Sequence, residues 1–109
     1  MLVELRKLIF SKKGLTQAFL KECKEEGIKV PNSQVQDIKI EGENPIKVAI
    51  QFMSANPDQP IEIPLNEHFV LSSMILMCGE LGVPLPRHAN KVVKRQDDGL
   101  AMVITTTFK

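Results

Sequence analysis

A motif that occurs twice, 55 residues apart, constrains the fold of this chain more than any other feature. In residues 23–31 and 78–86, a cysteine is followed four residues later by glycine, then by an apolar residue, any residue, an apolar residue and proline. This order is typical of a helix that ends at a glycine C-cap and leaves as extended chain towards a proline. The motif predicts an internal duplication, with repeat one at 1–54 and repeat two at 55–109.

The segment before each motif predicts a strand followed by a helix. Residues 61–65 alternate isoleucine or leucine with glutamate and proline, as in an edge strand, and the aligned residues 6–10 are assigned the same conformation. Ser11 and Asn66 occupy equivalent places, where their side chains accept hydrogen bonds from the free N–H groups of a first helical turn. We therefore expect a helix to begin after each of them.

A β-hairpin is predicted after each helix, because apolar and polar residues alternate on both sides of a turn. The predicted strands are residues 36–40, 46–52, 91–96 and 100–108. Hairpins that are separate from the helices predict an α+β fold with mainly antiparallel sheet, built from two tandem β-α-β-β repeats with pseudo-twofold symmetry. Halves of about 55 residues are marginally stable alone, so both are expected to form one domain.

The first helix is predicted to be amphipathic. Its expected buried face consists of Leu15, Ala18, Phe19 and Cys23. The expected solvent face includes Glu22, Glu25 and Glu26, beside lysines with which they can pair. This helix should therefore lie on the surface with one side against the core.

The second helix, at about 67–81, is apolar around most of its circumference. Such a helix is buried on several sides, so either the other half of the chain or a second subunit covers it. A homodimer is the second of these alternatives. Its predicted interface consists of Ser72, Leu76, Met77 and Gly79, since methionine adapts to a partner and glycine permits close approach.

Composition and charge exclude several classes of protein. The chain is 43% hydrophobic and 25% charged with a net charge of +1, which fits a soluble globular protein and gives no overall field for nucleic acid or an anionic membrane. No apolar stretch approaches the roughly 20 residues that span a bilayer. The start of the chain lacks the residue order of a secretory signal. The two cysteines are predicted to be reduced core thiols, which favours a cytoplasmic location.

The strongest local charge asymmetry follows the second copy of the motif. Residues 86–95 contain four permanent positive charges and a histidine, whereas the aligned residues 32–40 contain only Lys39 as a cation. This difference predicts a site in the second repeat that binds an anionic partner, either nucleic acid or an acidic protein surface. The predicted binding residues are Arg87, His88, Lys91, Lys94 and Arg95.

The opposing interpretation of these charges is a solvated edge strand that is protected from self-pairing. Strand alternation also places Lys91 and Arg95 on one face and Lys94 on the other, so they cannot all point the same way. The sequence leaves both interpretations open.

A thiol-dependent enzyme or redox protein that uses Cys78 with His88 is the alternative function. Each cysteine lies on an apolar helical stripe, where thiols are usually inert, and His68 is ten residues from Cys78 on the same helix, too far to act as its base. The cysteines and histidines lack the paired spacing of a zinc site, so we predict no metal, no cofactor and no catalytic residue. The favoured function is a small non-enzymatic binding module.

Overall fold

The computed structural model describes all 109 residues and contains six strands and two helices. The strands are β1 Leu2–Phe10, β2 Val35–Glu41, β3 Lys47–Phe52, β4 Ile61–Leu65, β5 Asn90–Gln96 and β6 Gly99–Phe108. The helices are α1 Lys12–Glu25 and α2 Glu67–Glu80. All four strand pairings are antiparallel, which confirms the predicted α+β fold with antiparallel sheet.

The strands form two three-stranded sheets, and each sheet contains strands from both halves of the chain. The first sheet has the order β1-β6-β5 and the second has the order β2-β3-β4. The two predicted hairpins, β2-β3 and β5-β6, are confirmed. Each hairpin receives its third strand from the other half of the chain, because β1 pairs with β6 and β4 pairs with β3.

The first strand is longer than the sequence indicates. It begins at Leu2, which lies opposite Phe108, because β6 extends far enough to supply partners for the whole of β1. The third strand of this sheet ends earlier, with Asn90 opposite Thr105. The remainder of β1 and β6 is therefore a two-stranded ribbon, in keeping with an elongated molecule of 56 × 27 × 18 Å.

Both helices begin at the predicted capping residues. The Ser11 hydroxyl accepts a hydrogen bond from the Gly14 N–H at 3.1 Å, and the Asn66 side-chain oxygen accepts one from the Phe69 N–H at 2.7 Å. Each bond satisfies one of the free N–H groups of the first turn. A polar residue directly after an edge strand therefore turns the chain into a helix in both halves.

The repeated motif is the C-terminal end of each helix. Gly27 and Gly82 have φ angles of 69° and 71°, a left-handed conformation that glycine adopts at low cost. The residue after each glycine donates its N–H to the carbonyl of the motif cysteine, at 2.8 Å in both Ile28–Cys23 and Val83–Cys78. This six-residue closure is a Schellman motif, and it explains why the glycine stands four residues after the cysteine.

The inner faces of both sheets and the facing sides of both helices form one core. Its buried residues include Phe19 from α1, Met74 from α2, Ile50 from the second sheet and Met102 from the first. The rings of Phe19 and Phe69 join the two helices, with their centroids 6.3 Å apart. Because all four elements contribute, the core requires both halves of the chain.

The buried faces of the two helices differ in part from those that the sequence predicts. The apolar face of α1 is buried as predicted, but the assignment of Glu22 to the solvent face is wrong, since only 9% of this residue is exposed. In α2, Ser73 is fully buried and donates its hydroxyl to the Val70 carbonyl at 2.7 Å. On the opposite side Ile75 is 38% exposed, so the protein itself covers this helix incompletely.

Two glycines three residues apart at the end of α2 should respond oppositely to alanine. Gly82→Ala should lower the free energy of unfolding by about 1 kcal/mol, because an L-residue resists a left-handed φ. Gly79→Ala should raise it by about 0.5–1 kcal/mol, since this glycine is helical and a Cβ there meets no atom within 4 Å. Urea denaturation of both variants measures the difference, and equal effects would contradict the helix end described above.

Candidate functional site

The five predicted binding residues lie in β5 and in the turn before it. The side chains of two of them donate hydrogen bonds to backbone carbonyls of the protein itself. The Lys91 ammonium donates hydrogen bonds to the carbonyls of Pro86 at 2.9 Å and Ala89 at 3.4 Å. The Arg95 guanidinium donates to the Gly42 carbonyl at 3.4 Å and so links β5 to the β2-β3 turn. These two cations therefore fix the segments at the two ends of β5.

The other three predicted binding residues are free of internal partners. Arg87 and His88 are exposed in the turn that precedes β5, and Lys94 is exposed on the strand itself. None of the three side chains makes a hydrogen bond or an ion pair within the protein. The register confirms the predicted alternation, because Lys91 and Arg95 share the inward face of buried Val93 while Lys94 is on the outward face.

The surroundings of Lys94 carry both signs of charge. A cavity of about 170 Å³ lies between β5, the start of α2 and the β2-β3 turn, and its lining includes Lys94, Glu43 and Glu67. Carboxylates beside the lysine weaken the local attraction for a polyanion. The basic segment is therefore not a continuous positive surface.

The outward face of the first sheet, which we call the first outer face, combines exposed apolar residues of β1 with polar and charged neighbours. Strand register places Ile9 beside Ala101 and Lys94 in one row, and Lys7 beside Val103 and Val92 in the next. Farther along β1, Leu5 lies beside Thr105 and Asn90, and Val3 lies beside Thr107. Side chains of Val3, Leu5 and Ile9 are 54%, 69% and 62% exposed, so nothing within the chain covers them.

The outward face of the second sheet is polar and internally paired. The Lys39 ammonium lies 3.2 Å from the Glu41 carboxylate and 3.5 Å from that of Glu62, and the Gln51 amide donates to Glu62 at 3.1 Å. The hydrogen bond to Glu41 raises the pKa of Lys39, and the bond from Gln51 lowers the pKa of Glu62. This network gives the second sheet an outward surface of paired polar groups, and no ion pair of this kind lies on the first outer face.

The two cysteines are free and almost completely buried. Cys23 is 2% exposed and Cys78 is 3% exposed. Burial raises the pKa of both thiols, although the positive charge of Arg6 acts in the opposite direction on Cys78. A buried thiol with a raised pKa is a poor nucleophile at neutral pH.

Cys78 lines a groove of about 420 Å³ that follows the end of β1. The lining comes from β1, α1, and the end of α2 with its following turn, including Leu8, Ile9, Met77 and Leu81. His88, the predicted partner of Cys78, is not part of this lining. Histidine and thiol are therefore not brought together in one pocket.

The predicted helical interface is only partly accessible. Ser72, Leu76 and Met77 are half-buried and Gly79 is exposed. Part of the cover is α1, which packs along α2 and joins it through an ion pair between Lys21 and Glu80 at 3.1 Å. Dimerisation through α2 remains a prediction.

Glu22 is a titratable residue that the sequence interpretation misplaced. Desolvation raises its pKa, and the charges of Glu26 and Glu25 raise it further, while the charge of nearby His68 opposes them. The signal was present in the sequence, because position 22 falls on the same helical stripe as Leu15, Phe19 and Cys23. A carboxylate there costs stability at neutral pH.

No family model, curated protein or solved structure matches this chain. Neither α1 nor α2 has the length and apolarity of a membrane-crossing helix. No three side chains of histidine, cysteine, aspartate or glutamate are grouped closely enough to hold a metal ion.

Both thiols should react slowly with iodoacetamide in the folded protein. We expect pseudo-first-order rates at neutral pH far below those of the urea-unfolded chain, because alkylation requires an accessible thiolate. The rate should rise with pH beyond the range of an ordinary thiol. Fast labelling of Cys78 alone at neutral pH would instead support a thiol-dependent activity.

Replacing Glu22 should change the pH dependence of stability. Because the folded-state pKa is raised, the ionised carboxylate destabilises the folded protein above that pKa, and the penalty disappears as pH falls to the ordinary range of a glutamate. Glu22→Gln should therefore raise the free energy of unfolding at pH 7 and lose this advantage under acidic conditions. Glu43→Gln, in the exposed turn, is the control and should show no such trend.

Proposed function

We propose that this protein is a small binding module that contacts an acidic protein partner through the first outer face and the free cations beside it. The observation that carries this proposal is the contrast between the two sheets. One outward face is covered by a network of ion pairs, while the other presents exposed apolar side chains bordered by Lys7 and Lys94. Uncovered apolar area of this kind is typical of interaction surfaces.

The chemistry of the surface favours an acidic protein over nucleic acid. Arg87, His88 and Lys94 supply positive charge without internal partners, which suits carboxylates on a partner. The apolar residues between Lys94 and β1, which are Ala101, Val103 and Val92, match apolar side chains of a protein better than a phosphate backbone. The chain also contains no tryptophan or tyrosine on which bases could stack.

Binding is favoured over catalysis for this chain. The two thiols are buried, and no histidine lines the groove beside Cys78. Two unpaired thiols also support a reducing, cytoplasmic location as part of this proposal.

We also infer that the chain is one domain that arose by internal duplication, with a pseudo-twofold relation between 1–54 and 55–109. Support comes from the matched helix caps at Ser11 and Asn66 and from the two Schellman motifs with equal hydrogen-bond lengths. The reciprocal pairing of β1 with β6 and β4 with β3 is what a twofold relation would produce. On this basis, the basic segment is a feature of the second half alone, whereas the first outer face combines β1 of the first half with β5 and β6 of the second.

Two probes separate the acidic-protein and nucleic-acid alternatives. The first is an extended peptide of about ten residues that alternates glutamate and valine, and the second is a single-stranded DNA oligonucleotide. Amide chemical shifts of the isotope-labelled protein, recorded during each titration, identify the contact residues. We expect the peptide to perturb β5, β6 and β1. Perturbation by the DNA alone, or by neither probe, would contradict the proposal.

A charge-matched pair of variants tests which cations bind the peptide. Arg87→Ser combined with Lys94→Ser should weaken peptide binding about threefold to tenfold, since each rim charge contributes up to about 1 kcal/mol. Lys13→Ser combined with Lys29→Ser removes the same charge from exposed positions elsewhere and should have a smaller effect. Equal losses in the two double variants would show that only net charge matters and would contradict a localised site.

A further inference from the structure

The free edge of β1 carries less protection against pairing with another strand than the other three sheet edges do. β4 is short and contains Pro64, β2 is irregular between Val35 and Asp37, and β5 lies beside the β2-β3 turn, to which Arg95 is bonded. Proline, bulges and covering loops are the usual protections of an edge. β1 has none of these three, although its nine residues pair with β6 in unbroken register. Its protection is limited to the charges of Glu4, Arg6 and Lys7.

The backbone of β1 has no hydrogen-bond partner on its free side. Its main-chain bonds run to β6, and none of the ten backbone bonds outside helices and strands involves residues 2–10. No side chain bonds to this backbone either. Half of the main-chain groups of a nine-residue strand are therefore available to a second strand.

We propose that β1 pairs antiparallel with β1 of a second copy of this chain, which joins two first sheets into one six-stranded sheet. In such a twofold pair, directly opposite residues must lie on the same face of the joined sheet, so both have odd numbers or both have even numbers. One residue of β1 therefore lies opposite the same residue of the second copy, and the twofold axis passes between these two residues. This requirement leaves few registers to compare.

Charge selects one register among them. If Leu5 lies opposite its own copy, then Glu4 lies opposite Arg6 of the second copy, and this pair occurs twice on the inward face. Shifting the axis to Glu4 places two glutamates opposite each other, and shifting it to Arg6 places two arginines opposite each other. Opposite charges across antiparallel strands stabilise the pair, and like charges destabilise it.

The same register provides an occupant for the groove beside β1. The groove of about 420 Å³ is lined by residues 7–10 of β1 and by Met77, Leu81 and Val83, and no residue of β6 contributes. It therefore lies on the free side of the strand. In the selected register Leu2 of the second copy lies opposite Leu8, at the groove, and Leu2 is 66% exposed in the single chain.

Glu4 and Arg6 are available for this pairing. Glu4 is exposed without an ion pair, and the Arg6 guanidinium makes only one hydrogen bond, 3.2 Å long, to the Pro84 carbonyl. The proposed contact uses the edge of the first sheet and leaves the first outer face free. It is therefore independent of the proposed binding function and differs from the predicted contact through α2.

Charge reversal of the two residues tests the proposal in a way that misfolding cannot imitate. Analytical ultracentrifugation should show a concentration-dependent dimer for the wild type. Glu4→Arg and Arg6→Glu should each raise the dissociation constant at least about tenfold, because each places like charges opposite each other twice. An equimolar mixture of these two variants should form a heterodimer, since every opposite pair is then complementary, and the double variant should dimerise again.

A control and a cross-link complete the test. Lys7→Glu changes charge on the same strand but faces Val3 in the selected register, so it should dimerise like the wild type. Leu5→Cys should form a disulfide between two chains on mild oxidation, whereas Val103→Cys, on the neighbouring strand, should not. A wild type that stays monomeric up to about 1 mM, or single variants that dimerise unchanged, would overturn the proposal.

Discussion

The rest of the structure depends on two strand pairings that join residues 1–54 to residues 55–109. We call these two pairings the exchange. β1 completes the sheet of the second hairpin, and β4 completes the sheet of the first. An isolated hairpin with one helix would leave most of its apolar face in water, and two such units of about 55 residues would be marginal. The exchange lets both hairpins and both helices share one core that includes Phe19, Ile50, Met74 and Met102.

Both helices begin and end with the same backbone geometry. Each helix starts at a polar cap directly after an edge strand and stops at a left-handed glycine, so the chain leaves both helices in the same way. The carbonyl of each motif cysteine accepts the hydrogen bond that closes the helix end, while its thiol lies in the core. The motif that dominates the sequence is therefore explained by the backbone, and the chemistry of the surface lies elsewhere.

Local features of the sequence predicted most of the elements, while pairings between distant residues could not be predicted. Alternation located both hairpins, and Ser11 and Asn66 located the helix starts, because these signals act within a few residues. The partner of β1 depends on contacts about 100 residues apart, for example Leu2 with Phe108. The role of Arg95 could not be predicted for the same reason, since its partner is the distant carbonyl of Gly42. The partners of Lys91 are near in sequence, but they are fixed by the turn that precedes β5. Glu22 differs, because its helical position already placed it on the buried stripe.

The two sheets differ in the chemistry of their outward faces. Lys39, Glu41 and Glu62 form an internally satisfied polar surface on the second sheet. On the first sheet, exposed Leu5 and Ile9 lie on a long strand whose edge is open. Interaction surfaces combine uncovered apolar area with groups that need partners. Both properties occur together at β1, which makes it the centre of the proposed contacts.

Hydrogen–deuterium exchange measured over a range of protein concentrations tests this central role of β1 most directly. At low concentration, the β1 amides that point to the free edge should exchange quickly, since they have no partner within the chain. At high concentration they should become protected, while the amides of β2 and β4 should exchange at unchanged rates. Protection of β1 that is independent of concentration, or concentration-dependent protection confined to α2, would contradict the account.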